Sequence, residues 1–520
     1  MTKREKQIQA EKFLKEGATK DAFAVCQQLW EEYPQGAPDN FNLYDGILTV
    51  KSTKNNYEAD FDFVYKVSDM YKENEQIRNF FSWYVFFKCI KGATGQEIIQ
   101  RENIILKLLR TVPQKKMTEQ TQYPCPVTIS ILNLVKAHSK GLFNSGKVNE
   151  WLDQLNPSFL SRKVNIIPNT EKGDKEDSSD LEKYYGYKTK ALLKLERYQE
   201  CMELCSQALE DLKSFHYDNS LWFRMRIALC QEKLGNLEES QNLFQELLST
   251  KAGSDKWFLY SDVAEIHFEQ ENFEKAWKYA VDAAFYGFDL DKMNNLFYLQ
   301  AKILFKLGRV EEGKILAQLI AAVLKKEGYK VKQDYAKLFS FYQINLEEAL
   351  ELKEVHRKAK KFWIEERYSG KALGKGCIIS IDRRGRGGKI RSESGHTHDF
   401  HKRYFQKPQR TLEGLKDAEV SFVLMDSYNG KSMAENITIL AKKEHSPNEM
   451  VGKKFNGSVK NVAEFGVFVK IRGLEDGLIH KSKLPQNLKG NFHEKFIPNQ
   501  EIKVEVVDVT EKGLRLKLAE

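Results

Sequence analysis

The feature that most constrains this chain is an internal repeat. Four short segments, LERYQEC (195–201), LGNLEES (234–240), ENFEKAW (271–277) and LGRVEEG (307–313), align on Tyr198, Leu237, Phe273 and Val310, which stand 39, 36 and 37 residues apart. An apolar stretch with helical spacing precedes each: YYGYKTKALLKL, LWFRMRIALCQEKLG, WFLYSDVAEIHFEQ and LFYLQAKILFKLG. A second helical stretch follows each. A helix–turn–helix unit of this length cannot bury its apolar face alone, and stacking such units is what hides it. An array of helical hairpins is therefore expected over 183–345.

The Leu-Gly-x-apolar-Glu turn, followed by a small residue such as Ala276 or Gly313, resembles the tetratricopeptide repeat family. That resemblance implies a concave face that holds a peptide or protein partner. The segment DAFAVCQQLWEEYP (21–34) reads as the second helix of another pair, ended by Pro34. Residues 1–165 are thus expected to be helical, in degenerate repeats. The stretch NTEKGDKEDSSD (169–180) has no periodic apolar pattern, so 166–182 reads as an acidic linker. Residues 346–370 read as one charged connecting helix, with Glu and Lys/Arg at three- and four-residue spacings.

Composition bounds the function classes. A hydrophobic fraction of 41% and a charged fraction of 30% fit a globular chain. No apolar run approaches a membrane span, and MTKREKQIQAEKFLKEG lacks the apolar segment of a signal peptide. A cytoplasmic location without membrane partners is the expectation. The seven cysteines form no CxxC pair, and Cys201 and Cys205 read as two small buried residues on one helix face. No Walker loop, GxSxG, HExxH or kinase set is present, so the chain reads as a non-enzyme with no cofactor and no metal. Charge is unevenly placed. Residues 371–520 carry 28 Lys/Arg against 19 Asp/Glu, whereas the other 370 residues carry 54 of each. A polyanionic ligand is expected in the C-terminal part alone.

After Gly370 the period changes to that of short strands separated by Gly, Asn and Asp. In FGVFVKI (465–471), Phe468 alternates out of phase with Val467, Val469 and Ile471. If the valines face a core, Phe468 and Lys470 face water together. Around this run the landmarks Gly457-Ser-Val459, Phe465-Gly-Val-Phe468, Gly477-Leu-Ile-His480, Ile502-Lys-Val504, Asp508 and Leu514-Arg-Leu516 follow in order. Together they closely resemble the S1 RNA-binding domain, a five-stranded OB-type barrel, over 450–520. The resemblance implies an RNA-facing patch of Phe465, Phe468 and His480, with Lys470, Lys481, Asp508 and Lys512 or Arg515 around it. Unpaired bases stack on aromatic rings, and lysines release counterions from phosphates.

The preceding segment, 371–445, resembles a cold-shock domain through Gly376-Cys-Ile-Ile, Gly385-Arg-Gly-Gly-Lys-Ile390, Asp399-Phe400 and Gly430-Lys-Ser-Met-Ala434. It departs from that family by replacing stacking aromatics with cations. Arg383, Arg384, Arg386, Lys389, Lys402 and Arg403, with Phe400, are the expected RNA-contacting residues, suited to the backbone more than to bases. Within HTHDFH (396–401), RNA contact by His398 or His401 is expected over metal binding.

The fold class expected is multidomain α + β: an α-solenoid of TPR-like hairpins followed by two small all-β OB-type barrels. The expected function is an adaptor binding single-stranded RNA, or single-stranded DNA, while the array docks a protein. The alternatives are a protein scaffold, for instance in a bacterial defence system, whose barrels bind no RNA, and an enzyme with its site in 1–165.

Overall fold

The computed structural model describes residues 1–34, 41–118, 124–167, 175–412, 414–427, 430–441, 450–471, 476–510 and 513–519. Its contacts divide it into two compact units, Met1–Leu248 and Ser249–Glu520. Among the described residues no helix is long and apolar enough to cross a membrane.

The repeat positions coincide with a structural landmark. Tyr198, Leu237, Phe273 and Val310 are each the first residue of a second helix: Tyr198–Asp211, Leu237–Leu248, Phe273–Tyr286 and Val310–Glu327. Two residues earlier, every turn holds one residue in the left-handed region: Glu196 (φ 59°), Gly235 (88°), Glu271 (58°) and Gly308 (74°). The next N–H donates to a carbonyl five residues back, Arg197 to Leu192 (3.0 Å), Asn236 to Gln231 (2.9 Å), Asn272 to His267 (2.9 Å) and Arg309 to Leu304 (2.8 Å). This bond satisfies carbonyls that a helix end otherwise leaves open, and it turns the chain into the returning helix. The same device joins Lys3–Lys15 to Thr19–Glu32, with Gly17 at φ 76° and Ala18 bonded to Phe13 (2.8 Å).

The fourth residue of each returning helix is small and buried: Ala22, Cys201, Ser240, Ala276 and Gly313. At Gly313 an added Cβ would stand 2.3 Å from the Tyr342 hydroxyl. In the first unit one large core runs from Phe23 to Cys230, with Phe81, Tyr84, Trp151 and Tyr185 fully buried. In the second, the helices from Trp257–Glu269 to Leu352–Tyr368 share another core around Phe297 and Trp363.

Two stretches differ from the sequence reading. Within 166–182 the described residues hold structure: β1 (Asn165–Ile167) pairs antiparallel with β2 (Lys175–Asp177), and a helix begins at Asp180 with the Ser179 hydroxyl accepting from the Glu182 N–H (3.1 Å). Three-residue strands are too short for any periodicity to register. The helix expected over 346–370 spans Leu352–Tyr368.

The second unit ends in two five-stranded closed barrels. The first contains β3 (Leu373–Ile381), β4 (Gly387–Ser392), β5 (Thr397–His401), β6 (Glu419–Asp426) and β7 (Ser432–Ala441) in the order β3-β4-β5-β7-β6. The second contains β8 (Lys454–Ala463), β9 (Gly466–Ile471), β10 (Gly477–His480), β11 (Glu501–Thr510) and β12 (Gly513–Leu518) in the order β10-β12-β11-β8-β9. Counted from the first strand of each, both barrels run 1-2-3-5-4 and close, with the third and fifth strands parallel and the other pairs antiparallel. This is the OB topology.

The first barrel is seated on the helices before it. Arg367 and Glu435 form a buried pair at 3.0 Å. Arg367 also pairs with Asp282, reaches the Tyr286 hydroxyl (3.2 Å) and lies over the Phe285 ring (4.2 Å). The Tyr368 hydroxyl donates to Glu435 (2.9 Å), and Phe285 stacks on Tyr404 with centroids 6.0 Å apart.

Two stability outcomes are expected in urea unfolding. Arg367→Met strands the buried Glu435 carboxylate and costs about 3–5 kcal/mol, the scale for breaking a buried pair. Glu271→Gly relieves a left-handed non-glycine residue and adds about 1 kcal/mol, while Gly308→Ala loses a similar amount.

Candidate nucleic-acid interface

In the second barrel the alternation of β9 sends Val467, Val469 and Ile471 into the core and Phe468 and Lys470 outward. Phe465 precedes the strand, 47% exposed, and its ring meets the half-buried Phe468 edge to face, centroids 5.7 Å apart. This pairing depends on Gly466. A Cβ there would stand 2.3 Å from the Ile479 carbonyl, so only glycine lets β10 close on β9 at this level. The close approach pairs Gly466 with His480 and lets the Lys481 N–H donate to the Phe465 carbonyl (2.9 Å).

His480 ends β10 and caps the turn that follows. Its Nδ1 accepts from the Ser482 N–H (3.3 Å) and lies 2.8 Å from the Ser482 hydroxyl. The ring is otherwise exposed. It is therefore both the strand-end cap and an open imidazole beside the two phenyl rings.

Register places the surrounding cations. Phe468 pairs with Leu478, Leu478 with Arg515, and Arg515 with Asp508, so these four residues lie in one row across β9, β10, β12 and β11. Strands lie about 4.8 Å apart, which puts Arg515 roughly 10 Å from Phe468. Arg515 is exposed and 3.6 Å from Asp508. Lys470 and Lys481 are exposed as well. Lys512 lies outside the described residues.

The first barrel has the same frame and a different surface. Gly387 pairs with His401 as Gly466 does with His480, and a Cβ at Gly387 would meet the Phe400 carbonyl at 2.3 Å. Counting from these glycines, Arg386, Lys389 and Arg391 occupy the places of Phe465, Phe468 and Lys470. Arg383, Arg384, Arg386 and Lys389 are all exposed. Asp382 orders their turn by accepting the Arg384 (2.8 Å) and Arg386 (3.1 Å) N–H groups. Those backbone donors, Arg386 first, hold its carboxyl below the usual aspartate range. His401 caps its own turn by accepting the Arg403 N–H at 3.2 Å.

Three expectations for this barrel are corrected. Phe400 is in the core, 4% exposed and edge-on to Phe405, because on β5 the inward positions are His398 and Phe400. His398 is likewise buried, bonded through Nδ1 to the Ser432 hydroxyl at 2.8 Å. Arg403 is engaged within the protein: it bonds the Tyr404 hydroxyl (3.0 Å), lies 3.5 Å from Asp255 and covers the Tyr286 ring (5.4 Å). Lys402 is half-buried. Of the seven residues named there, Arg383, Arg384, Arg386 and Lys389 form the open basic face. Arg391 is exposed on the same face, and the strand register is the signal that finds it. Among the described residues no group of His, Cys, Asp and Glu is arranged to hold a metal ion.

Comparison with known proteins agrees with the second barrel. Residues 449–519 match the family model of the S1 RNA binding domain. A 63-residue stretch is 36% identical to the polyribonucleotide nucleotidyltransferase of Zymomonas mobilis, covering 12% of this chain and 8% of that protein, so the chain spans a small part of that relative's length. Among solved structures, the apo form of the quorum sensor NprR from B. thuringiensis aligns with 70% of this chain and 94% of its own, at 14% identity and a TM-score of 0.31. Drosophila Unr CSD456 aligns with 29% of this chain and 62% of its own, at 18% identity and a TM-score of 0.13.

Core and surface phenylalanines separate by stability. Phe400→Ala costs about 3–5 kcal/mol as a buried aromatic truncation, while Phe465→Ala stays within about 0.5 kcal/mol, both read by urea unfolding. By fold and by sequence, the C-terminal barrel is an S1 RNA-binding domain.

Proposed function

We propose that this protein is an RNA-binding adaptor. Its S1 barrel holds single-stranded RNA against Phe465, Phe468 and His480, and its helical hairpins dock a protein partner. The observation that carries this reading is the edge-to-face phenyl pair on the outside of an S1 barrel, bordered by exposed Lys470, Lys481 and Arg515. Two aromatic rings turned to water cost hydration with no return inside the fold, and unstacked bases are ligands that cover such rings. The first barrel extends the same track. Its arginine and lysine face, at the matching strand positions, suits phosphates, which position a strand without reading its sequence.

Fluorescence anisotropy with labelled oligouridine tests this reading. Phe465→Ala with Phe468→Ala weakens binding by at least about tenfold, since each stacked base contributes roughly 1–3 kcal/mol. Circular dichroism and the unfolding midpoint stay unchanged, because neither ring belongs to the core. Unchanged affinity rejects the assigned face. Over a salt series, log K falls against log salt, and the three cations of the S1 face contribute about −2 to that slope, at ~0.7 per neutralised phosphate. Arg383→Gln with Lys389→Gln makes the slope shallower without altering preference among bases. Oligothymidine in the same assay distinguishes RNA from DNA as the ligand.

A further inference from the structure

The first unit contains a groove of about 690 Å³, within the usual range of ligand sites. It opens between the segments 124–136, 177–190 and 219–226. Tyr187, Trp222 and Phe223 give it an aromatic wall, and Lys190 and Arg226 project into it.

These two cations are anomalous. Arg226 is half-buried, donates to the Thr189 hydroxyl (3.0 Å) and lies over the Phe223 ring (5.8 Å). Lys190 lies over the Phe143 ring at 4.5 Å. Neither has a carboxylate within ion-pair distance among the described residues. Each is held below its ordinary pKa by desolvation, and Lys190 further by its neighbour Arg226. Beside Arg226 the Cys201 thiol is drawn well below its usual range by hydrogen bonds with Cys205 and Cys230, and contact with Cys201 together with burial pushes the Cys205 and Cys230 thiols up. Two desolvated cations without a carboxylate partner cost folding free energy that a carboxylate from outside offsets.

We propose that this groove receives a carboxylate side chain of an acidic peptide, with Arg226 and Lys190 as its anchors and the aromatic wall covering an adjacent apolar residue. The inference rests on the protein-docking role of the helical hairpins and names the chemistry of the partner. A nucleic-acid backbone fits the groove poorly, because the same lining carries Asp177 and Glu182. Asp177 is paired with Lys183 (2.8 Å), and Glu182 accepts from Asn219 (2.6 Å) and the His216 N–H (3.1 Å). Those carboxylates disfavour a run of negative charges and admit a single carboxylate set among uncharged residues.

Two measurements on the full-length chain test it. In thermal unfolding, inorganic phosphate raises the midpoint of the wild type by more than that of Arg226→Leu with Lys190→Gln, each measured against chloride at equal ionic strength. In phosphate-free buffer the double variant unfolds at the same or a higher temperature than the wild type. Panning a random nonapeptide display library enriches sequences carrying Asp or Glu next to an apolar residue. A synthetic enriched peptide binds at least tenfold more weakly to the double variant, and its Gln/Asn counterpart binds the wild type at least tenfold more weakly. Oligouridine affinity is the same for both proteins. Equal phosphate shifts, or loss of oligouridine affinity in the variant, overturn the proposal. Selection of peptides without acidic residues overturns this inference alone, and failure of any peptide to bind brings down the docking role as well.

Discussion

The buried contact of Arg367 with Glu435 fixes where the first barrel can be. A guanidinium and a carboxylate removed from water tolerate little displacement, because separating them leaves two unpaid charges in a low-dielectric interior. Asp282, Tyr286 and Tyr368 close the remaining donors and acceptors around the pair. The barrel therefore behaves as a continuation of the helices rather than as a bead on a tether. Its seated side uses Tyr404 and Arg403. Its β3–β4 turn stays open, with Arg383, Arg384 and Arg386 exposed.

The two barrels show one frame carrying two chemistries. Each brings a glycine at the start of its second strand against a histidine at the end of its third, and each histidine accepts the N–H two residues on. What differs is what stands beside that glycine and two residues after it. Phenylalanines there make a surface for flat, unpaired bases, whereas arginine and lysine make one for phosphates. The surface chemistry diverges here without any change in strand order.

Much of this was legible in the sequence because periodicity is physical. The four aligned turn residues begin four helices, since the left-handed residue two places earlier must recur wherever the chain reverses in the same way. The outward placement of Phe468 followed from its phase against the valines. Phe400 was not legible, because the sequence does not fix which face of a five-residue strand points inward. His398 and Phe400 share a parity, and only the closed barrel shows that it is the inner one. The β1–β2 ladder escaped because three residues carry no period. Arg226 gave no signal at all, since an arginine within an apolar helix normally finds a carboxylate and its lack of one is a property of three dimensions.

The cap on His480 has a consequence for what its ring can present. With Nδ1 occupied as an acceptor by the Ser482 amide, a neutral imidazole must carry its hydrogen on Nε2. The open edge of the ring therefore offers a donor and never a lone pair, whether the pH is neutral or acidic. A carbonyl oxygen on a pyrimidine or guanine can meet that hydrogen, while an exocyclic amino group cannot. A two-residue turn thus fixes the polarity of the imidazole edge beside the two phenyl rings.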